Sequence, residues 1–130
     1  MEDAASPDAE QNFSVMIVED EFLIAMDIEA MLEDNGLNVI GTAASVAGAL
    51  QLLETTRPDI AVLDGNLRGD SVTPVALRLN EMLIPFVLAS AYSFKDIDGS
   101  DVLAQATNVG KPILEHRLLE ALREAMAKQA

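Results

Sequence analysis

The chain has no cysteine and no tryptophan, and only one histidine and one tyrosine among its 130 residues. Without cysteine there is no disulfide and no thiolate metal centre. Basic residues are also scarce: 8 Lys and Arg stand against 22 Asp and Glu, a formal charge of −14. Phosphate contacts need a surplus of cations, so no nucleic-acid partner is expected. There is no apolar run of membrane-spanning length, and the first dozen residues lack the basic start and apolar stretch of a secretory signal. No membrane association is expected, and with no cysteine the cytoplasm is the expected compartment. What is present is a half-apolar chain of one-domain length, long enough to bury a single core without covalent staples.

The acids are unevenly placed. Residues 1–64 hold fourteen acids and one base, Arg57, whereas residues 65–130 hold eight acids and seven bases. Part of the excess lies in residues 1–12, rich in Ala, Ser, Pro and acids and without helical or strand periodicity. That segment reads as a flexible acidic tail, with the domain running from 13 to 130.

From Phe13 onward, short apolar runs alternate with amphipathic segments. Val15-Met16-Ile17-Val18 is continuously apolar and stops at Glu19-Asp20-Glu21, as a strand buried on both faces would. Ile24, Ala25, Ile28, Met31 and Leu32 then recur at helical spacing, and Gly36 follows as a helix stop. Val39 to Ala43 reads as a second strand, and Val46, Ala49, Leu50 and Leu53 mark a second helix ending before Arg57-Pro58. Ile60 to Leu63 is a third buried strand, Val72, Val75, Ala76 and Leu79 a third helix face, and Pro85 to Ala89 a fourth strand. Asp96, Asp98, Gly99, Ser100 and Asp101 are poor helix-interior residues, so a fourth helix should be short or irregular. Thr107-Asn108-Val109 reads as a weak fifth strand, and Leu114, Leu118, Leu122 and Met126 carry a last helix. Strands apolar on both faces and separated by helices specify an α/β sandwich, a doubly wound five-stranded parallel sheet covered on both sides. Ligands in such sheets sit beyond the carboxyl ends of the strands.

At those ends stand Glu19-Asp20, Asp64, Ser90 and, after the fifth strand, Lys111. Three carboxylates converging on one crevice repel one another unless a cation neutralises them, and Mg²⁺ suits a few carboxylate oxygens, a carbonyl and water. Asp64, directly after a buried strand and before Gly65-Asn66, is placed to attack a phosphoryl group and form an acyl phosphate. Lys111 and the Ser90 hydroxyl are placed to bind the phosphoryl oxygens. Any one of these residues alone is more simply a helix cap or a surface group; the set in this order is not.

Val18-Glu19-Asp20-Glu21, Ile60-Ala61-Val62-Leu63-Asp64, Ala89-Ser90-Ala91 and Lys111-Pro112 together resemble the receiver domain of two-component response regulators, over about Phe13 to Lys128. The resemblance implies a flavodoxin-like sheet of order 2-1-3-4-5, with Asp64 taking a phosphoryl group from the phosphohistidine of a histidine kinase. It implies that Glu19, Asp20, Asp64 and the Asn66 backbone carbonyl hold Mg²⁺, that Ser90 and Lys111 clamp the phosphoryl oxygens, and that the Lys111-Pro112 bond is cis.

The chain departs from the family's usual pattern in two places. The loop Asp64-Gly65-Asn66-Leu67-Arg68-Gly69-Asp70 lacks the usual proline, and the aromatic expected three residues before the lysine is Asn108. Pro85-Phe86-Val87-Leu88-Ala89-Ser90-Ala91-Tyr92 instead resembles the Phe-Ala-Thr-Gly-x-Tyr segment of stand-alone alphaproteobacterial receivers, which are often paired with histidine kinases of the HWE and related classes. Asn66 and Tyr92, two residues beyond the acceptor and the hydroxyl, are the positions expected to tune phosphoryl lifetime.

Only Gln129-Ala130 follow the last helix, so the expected function is a stand-alone receiver, a monomer or weak dimer, that signals through a downstream protein partner or drains phosphate from a kinase as a sink. Two alternatives stand beside it. An aspartyl-phosphate phosphatase would need a general acid two residues after the nucleophile, where this chain has Asn66. A pseudo-receiver would bind partners without phosphorylation. His116 reads as a solvated residue opening the last helix, Met26 and Met31 as core, and Arg117, Arg123 and Lys128 as a solvated face or partner surface.

Overall fold

The structure, a computed structural model, describes residues 12–91, 101–104 and 106–128. The expected tail lies almost wholly outside the described residues, as does Tyr92. In chain order the elements are β1 (Ser14–Val18), α1 (Phe22–Asp34), β2 (Asn38–Ala43), α2 (Val46–Thr55), β3 (Ile60–Leu63), β4 (Asn66–Leu67), β5 (Asp70–Ser71), α3 (Thr73–Glu81), β6 (Phe86–Leu88), α4 (Asp101–Ala104) and α5 (Glu115–Ala127).

Four strands form a parallel sheet of order β2-β1-β3-β6. The continuous apolar runs are explained by burial on both faces. Val15, Ile17, Ile60 and Val62 pack with α1 and α5, through Ile28, Leu32, Leu118 and Leu122. Their alternates Met16, Val18, Ala61 and Leu63 pack with α2 and α3, through Ala49, Leu53, Val75 and Leu79. On β2, Gly41 admits α2 closely: a Cβ there would lie 2.6 Å from Leu52 Cδ2. Helix α1 stops as expected, with Asn35 as its C-cap and Gly36 at φ 82°. At α2, the Ser45 side chain accepts from the Gly48 N–H at 3.0 Å and caps the helix start.

The structure shortens one expected element and overturns one core assignment. The fifth strand is reduced to one parallel bridge between Leu88 and Asn108, with Leu88 N donating to Thr107 O and Val109 N to Leu88 O, both at 2.8 Å. Gly110, at φ 79°, follows at once and turns the chain out of the extended conformation; the Lys111-Pro112 bond is cis, as expected. The proline-free loop after Asp64 folds as a small antiparallel hairpin, β4 with β5, whose two turn residues Arg68 (φ 56°) and Gly69 (φ 94°) both take left-handed backbone. Met26, expected in the core, is not there: with Phe22 and Leu23 it lies on the exposed side of α1. Met31 does pack against the core, and His116 is exposed. Among the described residues the fourth helix spans Asp101–Ala104; Asp96, Asp98, Gly99 and Ser100 lie outside them.

Candidate functional site

Parallel register brings the site together. Val18 is level with Leu63, and Leu63 with Leu88, so the next residues along each strand leave the sheet at one edge. The backbone continues that alignment one step further. Glu19 N donates to Ala43 O at 3.0 Å, Asp64 N to Val18 O at 2.8 Å, and Ala89 N to Leu63 O at 2.8 Å. Glu19, Asp64 and Ser90 are consequently buried, at 2%, 7% and 2% exposure, while Asp20 stands at the rim. One oxygen from each of Glu19, Asp20 and Asp64 lies within 4.8 Å of the others.

Lys111 reaches this cluster from beyond the Leu88–Asn108 bridge. Its Nζ stands 3.0 Å from Glu19 Oε1 and 3.4 Å from Asp64 Oδ2. The Glu19 oxygen has no well-directed hydrogen bond despite that short distance; the charge contact itself is what matters at this range. Burial is the largest influence on Glu19 and, with the Asp64 charge adding to it, pushes its pKa from 4.5 up to about 7, against the lowering effect of Lys111 and of the Glu21 N–H. For Lys111, burial works to lower the pKa, but the close contact with Glu19 and the charges of Asp64 and Glu19 outweigh it, and the net shift is upward.

The crevice has a volume of about 300 Å³, and Asp20, Asp64, Asn66, Arg68, Ser90 and Lys111 are among the residues that line it. Asn66 N lies 3.4 Å from Asp64 Oδ1, and the Asn66 side chain accepts from Gly69 N at 2.7 Å, which ties it to the hairpin turn. Sequence reasoning did not assign Arg68 to the site. Its Nε is 3.6 Å from Asp20 Oδ2, and the signal was the Arg-Gly pair in a loop without proline. Five of the expected residues, Glu19, Asp20, Asp64, Ser90 and Lys111, thus meet in one place, and Asn66 sits at its edge. The donor set suits a hard divalent cation: three carboxylates, two of them buried, carry more negative charge than Lys111 alone offsets, and one buried oxygen lacks an aligned donor.

The sequence matches the response regulator receiver domain over residues 15–123. The chain belongs to the response regulator receiver family. This receiver is 31% identical over 117 residues to the transcriptional regulatory protein PdtaR of Mycobacterium tuberculosis, a match covering 88% of this chain and 57% of PdtaR. The chain spans about half the length of the curated relatives it matches. Among solved structures it is similar to SdrG from Sphingomonas melonis Fr1, at 38% identity and a TM-score of 0.75, over 90% of this chain and 98% of that one. A structure of SdrG described as its BeF3-activated conformation matches at 38% identity and a TM-score of 0.73, over 87% of this receiver and 95% of that chain. Among the described residues, no helix is long and apolar enough to cross a membrane.

Proposed function

We propose that this receiver accepts a phosphoryl group on Asp64 from the phosphohistidine of a histidine kinase. The observation that carries the reading is the meeting of Asp64, two further carboxylates and Lys111 in one crevice at the carboxyl ends of the strands. The likeness to SdrG, for which a BeF3-activated conformation is described, supports it. An Asp64 carboxylate oxygen forms the new P–O bond as the donor's P–N bond breaks, and the imidazole leaves with the electron pair. Burial keeps Asp64 away from bulk water. Lys111 balances charge on the phosphoryl oxygens and Ser90 donates its hydroxyl to them. Glu19, Asp20, Asp64 and the Asn66 carbonyl are the groups that would hold Mg²⁺. When bound, the cation neutralises the carboxylates and draws phosphoryl oxygens toward Asp64.

Phosphorylation would add roughly −1.5 to −2 charge to the crevice and draw Ser90 and Lys111 inward. The output is a changed protein contact at the sheet edge near α4, or drainage of a kinase as a phosphate sink. A role without an attached output domain is supported by the match to SdrG across nearly that whole chain. The kinase is proposed to be of the HWE or a related class, from the Phe86 to Tyr92 segment. The test is labelling by a phosphorylated histidine kinase and by a small phosphodonor in Mg²⁺. Wild type is expected to label and Asp64→Asn to lose labelling by at least about a hundredfold, the usual scale for losing the attacking group. Equal labelling of the two proteins sinks the reading, and steady release of phosphate from varied phosphomonoesters points to a phosphatase instead.

A further inference from the structure

We propose that Asn108 is a positioning residue that ties Ser90 to the Gly110-Lys111 turn, so that the hydroxyl and the ammonium of the crevice are set by one side-chain oxygen; this rests on the phosphoacceptor reading above. Asn108 Oδ1 accepts from Ser90 N at 3.1 Å and from Gly110 N at 2.9 Å. Both groups that face it are backbone N–H donors, so the atom between them is the carbonyl oxygen and not the amide nitrogen. One of these bonds spans eighteen positions of sequence and the other two. Asn108 therefore joins two segments, not merely two neighbours.

The backbone alone does little to join those segments. Leu88–Asn108 is an isolated bridge, and its two main-chain bonds lie one residue short of Ala89. Beyond it the chain must place Ser90, which is 2% exposed, and turn through Gly110 at φ 79° to aim Lys111 at Glu19 and Asp64. The Asn108 oxygen meets the amide of Ser90 itself and the amide of the residue just before Lys111. It supplies the rung that a longer fifth strand would otherwise provide. A shift of Ser90 toward a phosphoryl oxygen is then carried to Lys111 through a single shared acceptor, and the two clamp groups close as a unit.

The test uses the full chain, with acetyl phosphate and Mg²⁺ for labelling and amide hydrogen exchange at Ser90 and Gly110 as a readout independent of phosphorylation. Asn108→Asp keeps an accepting oxygen at the same reach, and is expected to keep both amides protected and to label within about threefold of wild type. Asn108→Ser is too short to reach both donors, and is expected to exchange both amides faster and to label about tenfold more slowly, with the thermal melt reporting that it remains folded. A Ser variant that labels and exchanges like wild type overturns the proposal. So does an Asp variant as impaired as the Ser variant. Failure of the underlying reading looks different: wild type itself does not label, or Asp64→Asn labels equally well.

Discussion

Glu19, Asp20 and Asp64 follow the two inner strands of the sheet, whereas Ser90 and Lys111 reach the same crevice from its outer edge. Strand β1 is paired on both sides, over five positions with β2 and four with β3, and β3 lies between β1 and β6. Val15 to Val18 and Ile60 to Leu63 are almost completely buried. On the other side β6 pairs over three positions with β3 and then meets one bridge at Asn108. Mutually repelling acids thus stand on the most fully paired part of the sheet, and the groups that, on the proposed function, would close on a phosphoryl oxygen stand where few main-chain bonds resist them. On the proposed function, a firmly paired floor sustains the repulsion that a cation would relieve, and a lightly bonded edge would let occupancy of the crevice be felt at the surface.

This contrast can be broken most forcibly at the floor. Leu63→Ala empties a fully buried site between β1, β6 and α3, and is expected to cost about 2–5 kcal/mol of unfolding free energy in a denaturant titration. Val109→Ala, beside the edge bridge, removes less buried surface and should cost about 1–3 kcal/mol. Equal losses would show that the edge is as firmly built as the floor.

A second and smaller effect concerns pH. Glu19 has its folded pKa raised from 4.5 to about 7, mainly by burial. The folded state therefore holds the proton more tightly than the unfolded state, so this contribution to stability is complete below about pH 4.5 and is lost as pH rises through about 7. In the absence of divalent cations, wild type should lose stability relative to Glu19→Gln across that window. Mg²⁺ should oppose the loss, because it competes with the proton for the carboxylate. Parallel stability curves for the two proteins would refute the assignment.

The smallest expected effect lies at the crevice mouth. Arg68 is 79% exposed and its contact with Asp20 is 3.6 Å long, so Arg68→Ala should change stability by less than about 1 kcal/mol. The same change should tighten Mg²⁺ binding by up to about fivefold in calorimetry, since a competing cation leaves Asp20. Weaker Mg²⁺ binding would mean that Arg68 supports the site instead of competing for it.

Much of this molecule was legible in the order of its residues. Short apolar runs such as Val15 to Val18, bounded by charged or turn residues, fit a strand buried on both faces, and the helices that cover them announce themselves through Ile24, Ile28 and Leu32 or Leu118 and Leu122. Because parallel strands expose their ligands at one edge, Glu19, Asp20, Asp64, Ser90 and Lys111 were readable as neighbours before any distance was known. Phe22, Leu23 and Met26 show the limit: helical spacing marks apolar residues but not which of them a neighbouring layer covers.

The sequence by itself determined the layering and named Glu19, Asp20, Asp64, Ser90 and Lys111 for the crevice, since these follow from burial periodicity and from local chain chemistry; the strand order was implied by the family resemblance. Only the tertiary structure decided how long the last strand is, how the loop after Asp64 folds and which atoms meet across the crevice. The β4–β5 hairpin depends on two left-handed residues, and the contacts of Arg68 and Asn108 are with partners 48 and 18 positions away. Local pattern is set by neighbours in sequence. A hydrogen bond or ion pair between distant segments exists only once packing has brought them within a few ångströms.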